Sequence, residues 1–131
     1  LKVVFDTNVL VAALVFPGGR GEEALQRVLE ERDALFLSRA ILDELLGVLA
    51  RKFARDAEAL SRVAVFLAEV STLVKPARRV RVLRDDPDNR ILECAAAAHA
   101  DLIVTGDAAL LALGQHAGVR IVRLTDYLGM D

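Results

Sequence analysis

The sequence predicts an α/β fold: a three-layer α/β/α sandwich around a central parallel sheet of four or five strands. Three observations predict it. Short apolar runs such as Val3-Val4-Phe5 and Leu102-Ile103-Val104 show no polar alternation, which marks strands buried on both faces. Longer stretches of helical period separate these runs, the order expected of strand–helix–strand units. The chain has 131 residues, 54% of them hydrophobic, with mean hydropathy +0.37. That is ample apolar material for a core and far from the composition of a disordered chain.

The elements follow in order. Val3 to Phe5 is the first strand and stops at Asp6. Val9 to Phe16 opens a short helix, ended by the breaker Pro17-Gly18-Gly19-Arg20-Gly21. Glu22 to Arg32 carries Ala24, Leu25, Val28 and Leu29 at helical spacing, with acids in the first turn. Ala34 to Leu37 is the second strand, and Ser38 is placed to cap a helix through Phe53. Asp56 to Val70 is another amphipathic helix, and Thr72 to Val74 the third strand. Lys75 to Arg84 holds four Arg and one Lys, and leads to Asp85-Asp86-Pro87. There Asp86 can cap and Pro87 can take the first helical position. An alanine-rich helix covers 88–99. Leu102 to Val104 is a strand running into Thr105-Gly106-Asp107, Ala108 to Leu113 a short helix, and Val119 to Val122 the last strand. With no repeat, low-complexity tract or linker, the expectation is one domain over 1–131.

Several function classes drop out. The single cysteine, Cys94, excludes a disulfide framework or a cysteine-based zinc cluster; it fits a reducing cytoplasm and reads as a small core residue. No apolar run approaches the roughly 18–20 residues of a bilayer span. The first apolar stretch is broken by Asp6-Thr7-Asn8, so no signal peptide is expected either. A formal charge of −2 argues against coating nucleic acid by bulk charge, while leaving a local site open. His99 and His116 make no metal spacing and are expected on helix faces. Gly18-Gly19-Arg20-Gly21 lacks the Gly-Lys-Ser/Thr of a phosphate loop and reads as a turn.

Chemistry is expected at the carboxyl ends of the strands, where sites of open parallel sheets form. Asp6 ends the first strand, and Asp107 lies two residues past Thr105 at the end of another, so both face one rim. On a helical wheel Ile91, Leu92 and Ala95 fall within about 60° of Asp88, which turns Asp88 towards the sheet and leaves Glu93 on the solvent side. Glu44 sits at the margin of the stripe formed by Ile41, Leu45, Val48 and Leu49, barely separable from Asp43 by periodicity. Three or four carboxylates on one rim raise each other's pKa. A hard divalent cation resolves the conflict, and oxygen-only ligands select Mg²⁺ or Mn²⁺, metals suited to phosphoryl chemistry.

Asp6-Thr7-Asn8-Val9-Leu10 after a leading strand resembles the opening motif of the PIN-domain family, metal-dependent ribonucleases. Asp88-Asn89-Arg90-Ile91-Leu92 with Ala95 is similar to the family's third acidic motif, Val104-Thr105-Gly106-Asp107 with Leu110-Leu111 to its fourth, and Ser38 through Leu45 to the segment carrying the second acid. The resemblance runs essentially end to end and includes Phe16-Pro17-Gly18-Gly19. It implies that Asp6, Glu44, Asp88 and Asp107 form the metal-binding and catalytic set, supported by Asn8 and Thr105. Asp85 and Asp86 add carboxylates nearby. The resemblance further implies a five-stranded parallel sheet, frequent homodimers, and the role of an endoribonuclease toxin neutralised by an antitoxin partner, or of an RNA-processing relative.

The expected mechanism is hydrolysis of an RNA phosphodiester by a metal-activated water, with Arg20 and the Lys75–Arg84 run as candidates to hold the RNA backbone. No lid over the acids is read in the chain, so restraint is expected from a small partner that competes with the metal. A phospho-receiver domain is disfavoured because no lysine follows the last strand, and a haloacid-dehalogenase phosphatase because Asp6-Thr7-Asn8 is not Asp-x-Asp. The alternative that stays open is a non-catalytic PIN scaffold binding RNA or protein.

Overall fold

A computed structural model describes residues 1–130. The elements run β1 (Lys2–Phe5), α1 (Thr7–Val15), α2 (Arg20–Leu29), β2 (Ala34–Ser38), α3 (Arg39–Phe53), α4 (Ala57–Val70), β3 (Ser71–Val74), α5 (Asp86–Ala98), β4 (Leu102–Thr105), α6 (Ala108–Leu113), β5 (Gln115–His116), β6 (Val119–Arg123) and α7 (Leu124–Leu128).

The sheet order is β3-β2-β1-β4-β6-β5, with every pairing parallel except β5 against β6. From β1 the chain first winds outward through β2 to β3, then crosses back to β4 on the other side. Right-handed crossovers therefore put α1 to α4 on one face and α5 and α6 on the other. The switch in winding direction falls between β1 and β4, the place where such sheets open a crevice at their carboxyl edge. The strands are apolar for the reason anticipated: Val3, Val4, Phe5 and all of β4 are buried from both sides.

Local chemistry sets the helix starts. Ser38 caps α3 by accepting from the Ile41 N–H (3.3 Å), and Asp56 caps α4 through the Ala59 N–H (2.9 Å). The start of α5 lies one residue earlier than expected: Asp85 is the flanking residue, Asp86 the first helical one, and Pro87 follows in the first turn. The α2 helix begins at Arg20 rather than Glu22. Gly21 is required there, since a Cβ would stand 2.7 Å from the Ala13 nitrogen and 2.8 Å from the Ala12 Cβ where α1 and α2 cross.

Four expectations need correction. The sheet has six strands, because Gln115–His116 folds back on β6. Ala117 and Gly118, both at positive φ (50° and 80°), make the two-residue turn, and alanine is an uncommon residue there. The short helix α7 was not anticipated; it is fixed by Tyr127, buried against Phe5 and bonded to Asp33 (2.6 Å), a partner 94 positions away. His99 is not on a helix face but terminates α5 at φ 51°, and His116 lies in β5. Cys94 is fully buried in the core, with burial pushing its thiol up to about 12. No helix among the described residues is long and apolar enough to cross a membrane.

Candidate metal centre

Asp6 continues β1 past Phe5, its N–H donating to the Val104 carbonyl (2.9 Å). This carries it to the crevice between β1 and β4 just as α1 begins. Thr105, fully buried at the end of β4, donates its hydroxyl to Asp6 Oδ2 (2.6 Å) and accepts from the Asp107 N–H (2.9 Å). One side chain thus locks the two strand-end acids together. Asp107 uses Oδ2 to cap α6 at the Leu110 N–H (2.9 Å). Asp88 enters from the first turn of α5, 5% exposed.

These acids perturb one another. Burial, then the charge and hydrogen-bonding demand of Asp107, then the charges of Asp85 and Asp6, push the Asp88 carboxyl up to about 7. Burial also raises Asp6; the Thr105 hydroxyl and the backbone N–H groups of Thr7 and Asn8 oppose that rise, and the charge of Asp107 adds to it. Asn8 thus acts on Asp6 through its backbone, while its side chain is exposed.

Glu44 lies in an adjoining cavity of about 310 Å³, shared with Thr7, Asp86, Arg79 and Arg90. Asp43, which periodicity could not separate from Glu44, points to solvent and pairs with Arg39 (3.1 Å). Arg20 opens α2, exposed, and does not line this cavity. The structure therefore groups Asp6, Asp88 and Asp107 directly, with Glu44 to one side.

The donor set suits a hard cation. Asp88 Oδ2 is buried with no hydrogen-bond partner, an orphan that leaves a carboxylate uncompensated. Among the described residues no three His, Cys, Asp or Glu side chains stand close enough to hold one ion together. An ion bound here would therefore take one or two of these carboxylates and complete its shell with water, as Mg²⁺ commonly does.

Glu93 overturns its expected place on the solvent side. It is buried, accepts from the Val80 N–H (2.7 Å) and pairs with Arg90 Nε at 3.0 Å, although that N–H is not aligned for a hydrogen bond. The reason is that the segment after β3 packs over this side of α5, so the far side of the helix is not solvent. Asn89, Arg90 and Glu93 were passed over as structural determinants; the only signal for them was polar residues in an otherwise apolar helix.

The architecture has counterparts in known proteins. The PIN domain family matches residues 2–109 of this chain. An uncharacterised protein of Methanocaldococcus jannaschii, MJ1680, is 32% identical over 117 residues, spanning 86% of this chain and 75% of that protein. The chain belongs to the PIN domain family. Its fold is shared with the structure of VapBC2 from Rickettsia felis bound to a DNA fragment from their promoter, at TM-score 0.69 and 16% identity, covering 94% of this chain and 98% of that one. VapBC-1 from nontypeable Haemophilus influenzae has TM-score 0.64 at 15% identity, covering 95% and 99%. FitAcB from Neisseria gonorrhoeae has 0.57 at 16%, covering 94% and 98%.

Proposed function

We propose that this PIN-domain protein is a divalent-metal-dependent endoribonuclease and the toxin of a toxin–antitoxin pair. The observation that carries the reading is the orphaned Asp88 oxygen beside Asp6 and Asp107 in the switch-point crevice. One or two of Asp6, Asp88 and Asp107 would bind Mg²⁺ or Mn²⁺ directly, with the remaining acids and Glu44 from the adjoining cavity reaching it through water. A bound ion supplies charge neutralisation and activation of water for phosphodiester hydrolysis.

The chain's own residues prepare that chemistry. Thr105 fixes Asp6 relative to β4, so the two strand ends present their acids at a constant separation. Asp107 spends one oxygen on α6 and keeps the other free of that cap. Arg20 is a candidate contact for the RNA backbone. The protein would act in the cytoplasm and as a homodimer.

The antitoxin part rests on the family and on the fold neighbours, which are toxin–antitoxin proteins. A partner can shut an acid crevice by inserting an arginine, whose fork bonds two carboxylates at once and replaces the metal's charge. The reading is tested with a mixed single-stranded RNA pool. Cleavage should require Mn²⁺ and vanish in Asp6→Asn, and a partner co-purified from the native cell should block Mn²⁺ binding. A partner that binds without affecting metal or cleavage would favour RNA processing. RNA binding with no cleavage at all would favour the non-catalytic scaffold.

A further inference from the structure

The ten residues from Lys75 to Arg84 have no regular secondary structure, yet α5 grips them at three positions, Val80, Val82 and Leu83. The Val80 N–H is held by Glu93 (2.7 Å) and the Val80 carbonyl by Arg90 Nη2 (3.0 Å). Asn89 Oδ1 accepts from the N–H groups of Val82 (3.2 Å) and Leu83 (2.8 Å), and Asn89 Nδ2 donates to the Leu83 carbonyl (2.8 Å). Asn89 and Glu93 are both buried, at 2% and 6% exposed. Water could satisfy a surface connection equally well. Burying a carboxylate and an arginine for the purpose adds little stability, and the attested use of such buried pairs is to fix a geometry.

The geometry fixed here is that of Arg79, the residue before Val80. It forms a wall of the cavity next to the acids, with Thr7, Glu44, Asp86 and Arg90, and with Ile41 and Pro87 as an apolar side. Arg90 is already committed to Asp86 (3.3 Å), Glu93 and the Val80 carbonyl. Arg79 forms no ion pair among the described residues, although two carboxylates share its cavity. It is therefore the cation of this wall left over for a ligand. The cavity reaches Thr7, the residue that follows Asp6, and its volume is that of a small-ligand site rather than a duplex groove.

We propose that Arg79 binds a backbone phosphate of single-stranded RNA one step from the acid crevice, and that Glu93, Arg90 and Asn89 are positioning residues that hold it there. The proposal rests on the nuclease reading for the identity of the polyanion. A strand approaching four carboxylates is repelled by them, and a braced cation in the neighbouring cavity offsets that repulsion where the strand must pass. Ile41 and Pro87 give the sugar an apolar surface.

The test is the affinity of a fluorescent 2′-O-methyl oligoribonucleotide in Mn²⁺ buffer across a salt series, together with kinetics on the cleavable RNA. Arg79→Ala should weaken binding about 5–10-fold and reduce the salt slope by about 0.7, the value for one phosphate contact on a single strand. Arg79→Lys should recover part of the affinity. Arg81→Ala, an equal charge loss on the same segment outside the cavity, should change binding less than about twofold. Glu93→Gln should raise KM while kcat is preserved, which loss of folded protein would not do. Equal losses in Arg79→Ala and Arg81→Ala would show bulk charge and overturn the proposal, as would no loss in either. RNA binding that depends on Arg79 without cleavage would uphold this subsite and sink the nuclease reading. Cleavage indifferent to Arg79 would do the reverse, and absence of both binding and cleavage would sink both.

Discussion

Asp33 and Asp88 are buried to a similar depth at opposite edges of the sheet, 8% and 5% exposed, and their surroundings differ in one respect. Asp33 stands at the amino end of β2. Its Oδ2 accepts from the Tyr127 hydroxyl (2.6 Å) and from Arg27 Nε (3.2 Å), and Arg27 lies over the Tyr127 ring while bonding the Met130 carbonyl (2.8 Å). Burial alone would raise the Asp33 pKa, but the hydrogen bonds from Tyr127, the Leu1 ammonium (2.9 Å) and Arg27, with the charge of that ammonium, outweigh it and hold the carboxyl below its ordinary value. Asp88 is surrounded by Asp107, Asp85 and Asp6, and is pushed up to about 7. A buried carboxylate with its own cation is a strut that joins α2, β2 and α7. One that meets other carboxylates is left, on the proposed reading, to take its cation from solution.

The largest contrast should be in activity. Asp88→Asn and Asp6→Asn should each lower RNA cleavage at least about 100-fold, the scale of losing one group that stabilises transition-state charge. Asp33→Asn should leave the rate nearly unchanged, measured on the same RNA under saturating Mn²⁺. Stability should rank the other way. Asp33→Ala strands Arg27 and the Tyr127 hydroxyl and should cost about 3 kcal/mol in urea unfolding. Asp88→Ala in EDTA should cost far less, because it removes an uncompensated charge.

The pH dependence sharpens the comparison, since the two shifts have opposite signs. A folded carboxyl at about 7 against the ordinary 3.8 means that ionised Asp88 destabilises the metal-free fold above pH 7 and is relieved as pH falls towards 4. Asp88→Asn should therefore stabilise the EDTA-treated protein by roughly 1–3 kcal/mol at pH 8, and the gain should fade by pH 5. Asp33 behaves inversely: its contribution is present above 3.8 and is lost as pH falls through its lowered folded value. Thermal melts of both variants from pH 4 to 8 check the signs. A smaller effect is expected at Thr105→Val, which removes the hydroxyl favouring ionised Asp6. Cleavage should drop about tenfold, with its acid limb moving to higher pH.

How much of this was legible depends on how local the determinant is. Asp6, Asp88 and Asp107 could be read because each sits where an apolar strand stops or on the apolar side of a helical turn, and both signals lie within a few residues. Glu44 could not be told from Asp43 by period. Its place in the cavity that Thr7 and Pro87 also line separates them, and that is tertiary. Glu93 was misread because its neighbour is the segment around Val80, 13 positions away, laid over the outer side of α5. The helix α7 was missed because five residues carry too little periodicity, and Tyr127 is held by Asp33 from the far end of the chain. The turn at Ala117-Gly118 escaped because alanine does not advertise positive φ.

The central claim is that the crevice acids take a divalent cation in place of the internal partner that Asp33 has. Its most direct measurement is the shift in Tm produced by Mn²⁺ in the wild type, Asp88→Asn and Asp33→Asn. Binding to the native state at a hundredfold excess over Kd adds about 2.7 kcal/mol by mass action. A clear rise is therefore predicted for the wild type and for Asp33→Asn from its lower starting point, with little or none in Asp88→Asn. An equal rise in all three proteins, or none in the wild type, would contradict the account.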